Sequence, residues 1–287
     1  GANESGIVVR VGDEAQVKSL RTRTRGQRVL MYGFSEGNDI RGSKVEFLEE
    51  KLRHEGSEGK EGKRRFEWPL GIQANITVGD STIPVDVVGA VGAHALLPLL
   101  AGAAVGHALL KDPQDIARGL AQYKPPLGRM RLVEGIKNTL MIDDTYNSSP
   151  AAAIAALETL SLVANPGGRE IAVLGDMLEL GRHSANEHRK VGALAAKVAD
   201  ILVTVGFRAR DIAQGSLNNG MPDSLIFQYE DARRAGMELQ NMIQEGDLLL
   251  VKGSQSMRME RIVEELMAHP ERAKEDLVRQ DREWKRM

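Results

Sequence analysis

The sequence predicts an α/β fold, and three observations carry that prediction. From residue 169 onward, short apolar runs at 171–174, 201–205, 225–229 and 248–251 alternate with helical patterns at 187–199, 231–243 and 259–267. Such alternation implies a parallel sheet covered by helices. Residues 75–88 alternate about Gly79-Asp80 as a hairpin does. Residues 150–164 form an Ala/Leu helical pattern, with Pro150 near the first turn and Ser148 or Ser149 as its cap.

The remaining elements fall into place around these. Residues 6–10 read as a short strand running toward a helix start at Gly12-Asp13-Glu14, and 28–33 as the next strand, with a helix between them. Residues 50–65 are polar, charged and punctuated by glycine, which suggests a mobile loop. Helices dominate 93–122, and 132–144 reads as paired strands broken at Gly135. The run Asn165-Pro166-Gly167-Gly168 is the expected domain boundary, dividing 1–165 from 166–287. The charged tail after Pro270 is expected to be an exposed helix, and no internal repeat is visible.

Composition narrows the function classes. At 287 residues and 42% hydrophobic, with 27% charged, the chain is long enough for two modest cores. A net charge of -2 and a pI near 6.4 supply no basic field for nucleic acid, and the charged runs mix both signs. With no cysteine there is no disulfide framework and no thiolate ligand or nucleophile, which fits a reducing cytoplasm. The opening Gly1-Ala2-Asn3-Glu4-Ser5 has neither an initiator methionine nor a signal-peptide profile, and reads as a cut or tagged end with sequence missing upstream. Residues 89–110 lack Asp, Glu, Lys and Arg, but His94, Pro98, His107 and abundant Gly and Ala favour a packed interior helix over a membrane span.

In open parallel sheets ligands bind at the carboxyl ends of strands, so polar residues following strand runs are the candidates. In Asp143-Asp144-Thr145-Tyr146-Asn147-Ser148-Ser149-Pro150, Asp144 could accept ribose hydroxyl protons and Tyr146 or Asn147 could face a purine; an Asp/Asn-rich turn with a helix cap reads equally well. Asp176 follows the strand run at 171–174, in Gly175-Asp176-Met177-Leu178-Glu179-Leu180-Gly181. Lys252 and Ser254 follow the run at 248–251, where they suit a carboxylate or phosphate, or form an N-cap with a solvated lysine. Arg129, after the glycine of Pro126-Leu127-Gly128-Arg129-Met130, could reach a phosphate, stack on a base, or pair with a surface acid. His183 and His188, five apart, do not share a helix face, so they read as surface or supporting residues and no metal site is assigned. The glycine- and lysine-rich run 56–63 superficially resembles a phosphate loop, but Glu61 and Arg64 stand where a Ser or Thr must follow the lysine.

Taken in order, Pro126-Leu127-Gly128-Arg129-Met130, Asp143-Asp144-Thr145-Tyr146-Asn147-Ser148-Ser149-Pro150, Val173-Leu174-Gly175-Asp176-Met177-Leu178-Glu179-Leu180-Gly181 and Val251-Lys252-Gly253-Ser254-Gln255-Ser256-Met257-Arg258-Met259-Glu260 resemble signatures of the Mur ligase family. Their wording resembles the branch that adds D-alanyl-D-alanine to UDP-N-acetylmuramoyl-tripeptide, and the resemblance runs from about Gly6 to about Leu266. It implies the latter part of a Mur ligase central ATP-binding domain over 1–165, followed by a Rossmann-like parallel-sheet C-terminal domain over 166–287. It further implies a cytoplasmic ATP-dependent amide ligase of peptidoglycan precursor synthesis, with ATP and Mg2+ and an acyl phosphate on the tripeptide. By motif, Arg129 and Asp144 would contact ATP with Tyr146 and Asn147 beside the nucleotide, and Asp176, Lys252 and Ser254 would lie around the dipeptide or the closing interface. No residue is assigned to the chemical step.

The departures carry equal information. The family's phosphate loop, its magnesium-binding glutamate and histidine and its carbamylated lysine would precede this sequence, which implies an upstream N-terminal ligase fragment as partner and an inactive chain on its own. Arg10 stands where the family carries an asparagine that helps hold adenine, and Ala95 and Pro98 stand where it shows asparagines. Two alternatives stand beside this reading: another Mur-like ligase, such as a folylpolyglutamate or cyanophycin synthetase relative, which the Leu174-Gly175-Asp176-Met177 string fits poorly, and a binding or scaffold module that lost its ATPase half, which Arg10 and Pro98 favour.

Overall fold

The computed structural model describes residues 6–13, 17, 28–49, 68–163 and 167–286. The helix expected after Gly12 falls almost wholly outside these residues, and the loop at 50–65, with the phosphate-loop-like run inside it, falls outside them entirely. The chain divides into two compact units.

The first unit takes in residues up to Leu48, Gly71–Val88 and Ala93–Pro125. Its sheet has the order β1 (Ile7–Val11), β2 (Arg28–Gly33), β3 (Ile40–Leu48), β4 (Gly71–Val78) and β5 (Ser81–Val88). The first three strands are parallel and the last three antiparallel. β4 and β5 form the expected hairpin, turning through Gly79-Asp80 with Val78 opposite Ser81. The acid-free stretch becomes helix α1 (Leu97–Ala108), which buries Leu99, Leu100, Ala103 and Ala104 and packs on β1 to β4; α2 (Pro113–Leu120) follows, capped by Asp112. Among the described residues no helix is long and apolar enough to cross a membrane. Asp13 accepts from the amides of Phe34 and Ser35 at 2.7 and 2.9 Å and from Asn38 Nδ2 at 2.9 Å. Burial pushes its pKa up, but these hydrogen bonds outweigh it and hold the carboxyl below its ordinary range.

The second unit contains Pro126 onward. Its six-stranded sheet has the order β10-β9-β8-β11-β7-β6, where β6 is Arg131–Glu134, β7 Leu140–Asp144, β8 Glu170–Gly175, β9 Ile201–Val205, β10 Ile226–Tyr229 and β11 Leu248–Lys252. All neighbours are parallel except the edge strand β6, which runs antiparallel to β7. β7, β9 and β11 are buried at every residue, as expected of parallel strands covered on both faces. On one face Met141, Ile171, Val173, Val203, Leu249 and Val251 pack with α6 (Ala232–Met242) and α7 (Glu260–Leu266). α3 (Pro150–Leu162) packs on β8 and β11 and against α4 (Ser184–Val198), which packs against α5 (Arg210–Asn218), a helix absent from the sequence reading.

The compact units interleave, with Pro126 onward in the second, and β7 forms ladder hydrogen bonds with β11 across the run at 165–168. One expectation changes. The tail is not one exposed helix. It breaks into a 3-10 turn (Pro270–Arg272), α8 (Ala273–Asp276) and α9 (Arg282–Arg286), with Ala273 and Leu277 buried in the sheet's core. That apolar pair draws the segment back onto the body despite its charge.

α4 and α5 approach closely where Gly192 faces Ile212: a Cβ there would lie 2.0 Å from the Ile212 carbonyl oxygen, while Ser216 Oγ donates to Gly192 O at 2.7 Å. Overpacking of this kind costs about 1–3 kcal/mol. Gly192→Ala is therefore expected to lower the urea midpoint by a corresponding amount; an unchanged midpoint would contradict the close helix contact.

Candidate functional site

Three strands deliver the predicted residues to one end of the second sheet. β11 lies between β7 and β8, and Lys252 sits in register with Asp144 on one side and Leu174 on the other. Asp144, Lys252 and, just past Gly175, Asp176 thus gather at the carboxyl end, beside the strand order reversal created by β11 returning between β7 and β8.

Lys252 is not a solvated cap. Its side chain is 2% exposed; Nζ donates to Asp144 Oδ2 at 2.6 Å and to the Asn147 carbonyl oxygen at 2.9 Å. A lysine at the end of a strand enclosed on both sides has no path to water, so its charge requires these partners. Asp144 Oδ1 accepts from Met130 N at 3.3 Å. Both carboxylate oxygens of the expected ribose acceptor are thereby engaged within the chain.

Asp176 is buried and turned inward. Its Oδ1 accepts from Ala209 N at 2.7 Å, and its own carbonyl accepts from Ser254 N at 3.0 Å. Ser254 Oγ accepts from Leu178 N at 2.9 Å, so this hydroxyl closes the 176–180 loop rather than capping α7. His188, read as a surface or a supporting residue, is the latter and fully buried: Nε2 accepts from Met177 N at 3.0 Å and Nδ1 donates to Ser184 O at 2.7 Å, a pairing that defines the neutral Nδ1–H tautomer. Only the partner amide, invisible in a one-dimensional pattern, reveals that role. His183 is exposed, as expected.

Arg129, Tyr146 and Asn147 are the predicted residues left open to solvent. The Arg129 guanidinium carbon lies 4.2 Å from the centroid of the Tyr146 ring, a cation–π arrangement, and among the described residues it pairs with no acid. Tyr146 N donates to Gly128 O at 3.0 Å; Gly128 has φ +64, and a Cβ there would press on that same amide. The open face therefore offers a cation, an aromatic ring and an amide, a set suited to a flat heteroaromatic or an anionic group. Among the described residues, no group of three or more His, Cys, Asp or Glu is placed to hold a metal ion.

Asp143, which completes the acidic pair, is fully buried. Thr145 donates to its Oδ1 through N at 3.1 Å and Oγ1 at 2.6 Å, whereas Oδ2 has no hydrogen-bond partner. Burial pushes its pKa up to about 6; the Thr145 hydrogen bonds oppose the rise, and the charges of Asp144 and Glu260 add to it. A carboxyl whose folded pKa exceeds its unfolded one stabilises fully below the unfolded value, and that stabilisation disappears as pH rises through the folded value. From about 3.8 to about 6 the difference is worth up to about 3 kcal/mol. Asp143→Asn is expected to flatten the loss of stability between pH 4 and 7 in urea denaturation; identical pH profiles for variant and parent would refute the assignment.

The comparisons with known proteins agree with this geometry. The family model described as Mur ligase, glutamate ligase domain matches residues 128–255. The UDP-N-acetylmuramoyl-tripeptide--D-alanyl-D-alanine ligase of Bacillus subtilis is 28% identical over 274 residues, covering 94% of this chain and 53% of that protein. Its counterpart from Escherichia coli is 34% identical over 177 residues, 61% of this chain and 37% of that one. The crystal structure of MurF ligase from Thermotoga maritima in complex with ADP superposes with a TM-score of 0.68 at 25% identity, covering 92% of this chain and 53% of the other. The chain spans about half the length of the relatives it matches from end to end. With the family model seated on the strands that gather these loops, and ligases of one kind aligned along nearly all of its length, residues 128–255 match the Mur ligase glutamate ligase domain and the chain as a whole is similar to Mur ligases.

Proposed function

We propose that this chain is the adenosine-side and dipeptide-side portion of an ATP-dependent ligase that joins D-alanyl-D-alanine to UDP-N-acetylmuramoyl-tripeptide in peptidoglycan precursor synthesis. The observation that carries the reading is the convergence of the four motifs at the carboxyl end of one sheet, two of them tied directly by Lys252 and Asp144. The aligned relatives bear the name of that activity. ATP would transfer its γ-phosphoryl group to the terminal carboxylate of the tripeptide, and the amine of the dipeptide would displace phosphate from the acyl phosphate to form the amide.

Within that reaction the chain's own residues divide in two groups. Arg129, Tyr146 and Asn147, open to solvent, contact the nucleotide; Asp144 and Lys252 fix the loop that presents them, and Asp176 and Ser254 shape the rim on the dipeptide side. The described residues do not fit a magnesium site, so no step passes through a metal held here. The phosphate grip and Mg2+ ligands would belong to an N-terminal ligase half, corresponding to the portion of the relatives that this chain does not span. The reaction's ATP and nucleotide-sugar substrates place it in the cytoplasm.

A second reading, a non-catalytic module retaining the fold, is favoured by the internal engagement of Asp144, Asp176 and Ser254. Phosphate release from ATP separates the two. With UDP-N-acetylmuramoyl-tripeptide and D-alanyl-D-alanine present, the chain alone is expected to be silent, and addition of an N-terminal Mur ligase half bearing the phosphate loop is expected to give dipeptide-dependent turnover. Silence in the mixture, with that half shown to bind the chain, would favour the module.

A further inference from the structure

We propose that Arg279, carried on the C-terminal segment after α7, is a positioning residue for the Thr145-Tyr146 loop, so that the tail sets the geometry of the nucleotide-facing stack. The segment lies beyond the family match at 128–255 and beyond the motifs read from the sequence. It leaves α7 alongside β6, where Ala268 N donates to Glu134 O at 2.9 Å, and is anchored by Ala273 and Leu277 in the core and by Arg131 against Asp276 at 3.4 Å.

At Arg279 the backbone takes φ +59, and the side chain turns inward until it is only 5% exposed. Nη1 donates to the Thr145 carbonyl at 3.1 Å and to Glu260 Oε2 at 3.0 Å, and Nη2 donates to the Tyr146 carbonyl at 2.5 Å. One planar fork therefore holds two consecutive carbonyls of the loop immediately after β7, a task suited to guanidinium and not to the single point charge of an ammonium.

Glu260, fully buried, has a second cation of its own: Arg258 Nε donates to its Oε1 at 2.6 Å, while Arg258 Nη1 donates to the Trp284 carbonyl at 2.6 Å. The carboxylate therefore keeps a partner when Arg279 is changed, and the loop carbonyls do not. Tyr146 is gripped from both sides, its N–H by Gly128 O and its carbonyl by Arg279, with Arg129 over one part of its ring and Arg279 5.7 Å from the centroid. A cleft of about 520 Å³ opens here, lined by Leu127, Tyr146, Gln255, Leu277, Arg279 and Trp284. The tail thus forms part of the wall in front of the exposed ring. The proposal rests on the reading of Tyr146 and Arg129 as nucleotide contacts.

The test uses the full chain and its Arg279→Lys and Arg279→Ala variants, with amide hydrogen exchange at Tyr146 and ATP affinity by calorimetry, both also in the presence of the N-terminal ligase half. The lysine variant keeps a charge beside Glu260 and covers the case in which the alanine variant does not fold. In the folded variants, exchange at Tyr146 is expected to rise about tenfold or more and ATP affinity to fall about tenfold, the scale of one or two lost charge-assisted hydrogen bonds. Unchanged exchange with weakened ATP binding would mean that Arg279 touches the nucleotide itself, and unchanged affinity would mean that the loop does not need the tail; either result overturns the proposal. If the parent chain binds no ATP under either condition, the nucleotide reading fails first, and the positioning role falls with it whatever the exchange rates show.

Discussion

A lysine ammonium at the buried end of a central strand must meet a carboxylate, and the rest of the second unit's functional end is arranged around that requirement. Lys252 leaves β11 between two parallel neighbours and reaches Asp144 at the end of β7 and the carbonyl of Asn147 beyond it. Desolvating both charges costs several kcal/mol, so the pair contributes little net stability; removing one partner would strand the other at a cost of about 3–5 kcal/mol. The interaction fixes position. It ties the loop bearing Tyr146 and Asn147 to the strand bearing the Lys252 and Ser254 motif, and Met130 N, donating to the other oxygen of Asp144, brings in the Arg129 motif as well.

The same economy of internal hydrogen bonds extends along the rim. Asp176 holds the start of α5 through Ala209, Ser254 holds Leu178, and the buried neutral imidazole of His188 holds Met177. Asp144, Lys252, Asp176 and Ser254, four polar side chains that the sequence pattern offers as ligand contacts, are thus spent on loop geometry, and the groups left open are those they position. Preorganised rims of this kind fix the few exposed groups without a conformational cost at binding.

Much of this was legible in the sequence where a single period dominates. The parallel strands β8, β9 and β11 are continuous apolar runs, the β4–β5 hairpin alternates about Gly79-Asp80, and α3 announces itself by Pro150 after a serine cap. What was not legible depends on partners distant in sequence. Lys252 looks like a cap lysine until β7 and β8 enclose it, and the sequence does not separate a surface from a supporting role for His188 because the amide it accepts from belongs to another segment. The boundary expected at Asn165-Pro166-Gly167-Gly168 is a real break in composition, but β7 before it pairs with β11 more than a hundred residues later. The tail's net polarity concealed Leu277, whose burial is what brings Arg279 to Glu260 and the Tyr146 loop. α5 was missed because Gly215, Ser216 and Asn218 weaken its helical pattern; its glycine serves close packing against α4 instead.

The most direct measurement of the central claim is a double-mutant cycle on the pair itself: Lys252→Met, Asp144→Asn and the double variant, each followed by urea denaturation. If the buried ion pair organises this end of the sheet, the single variants lose several kcal/mol and the double variant recovers a large part of the loss, giving a coupling energy of roughly 2 kcal/mol or more. Single losses that simply add, with coupling near zero, would contradict it, because two side chains that do not depend on each other cannot hold the motifs together.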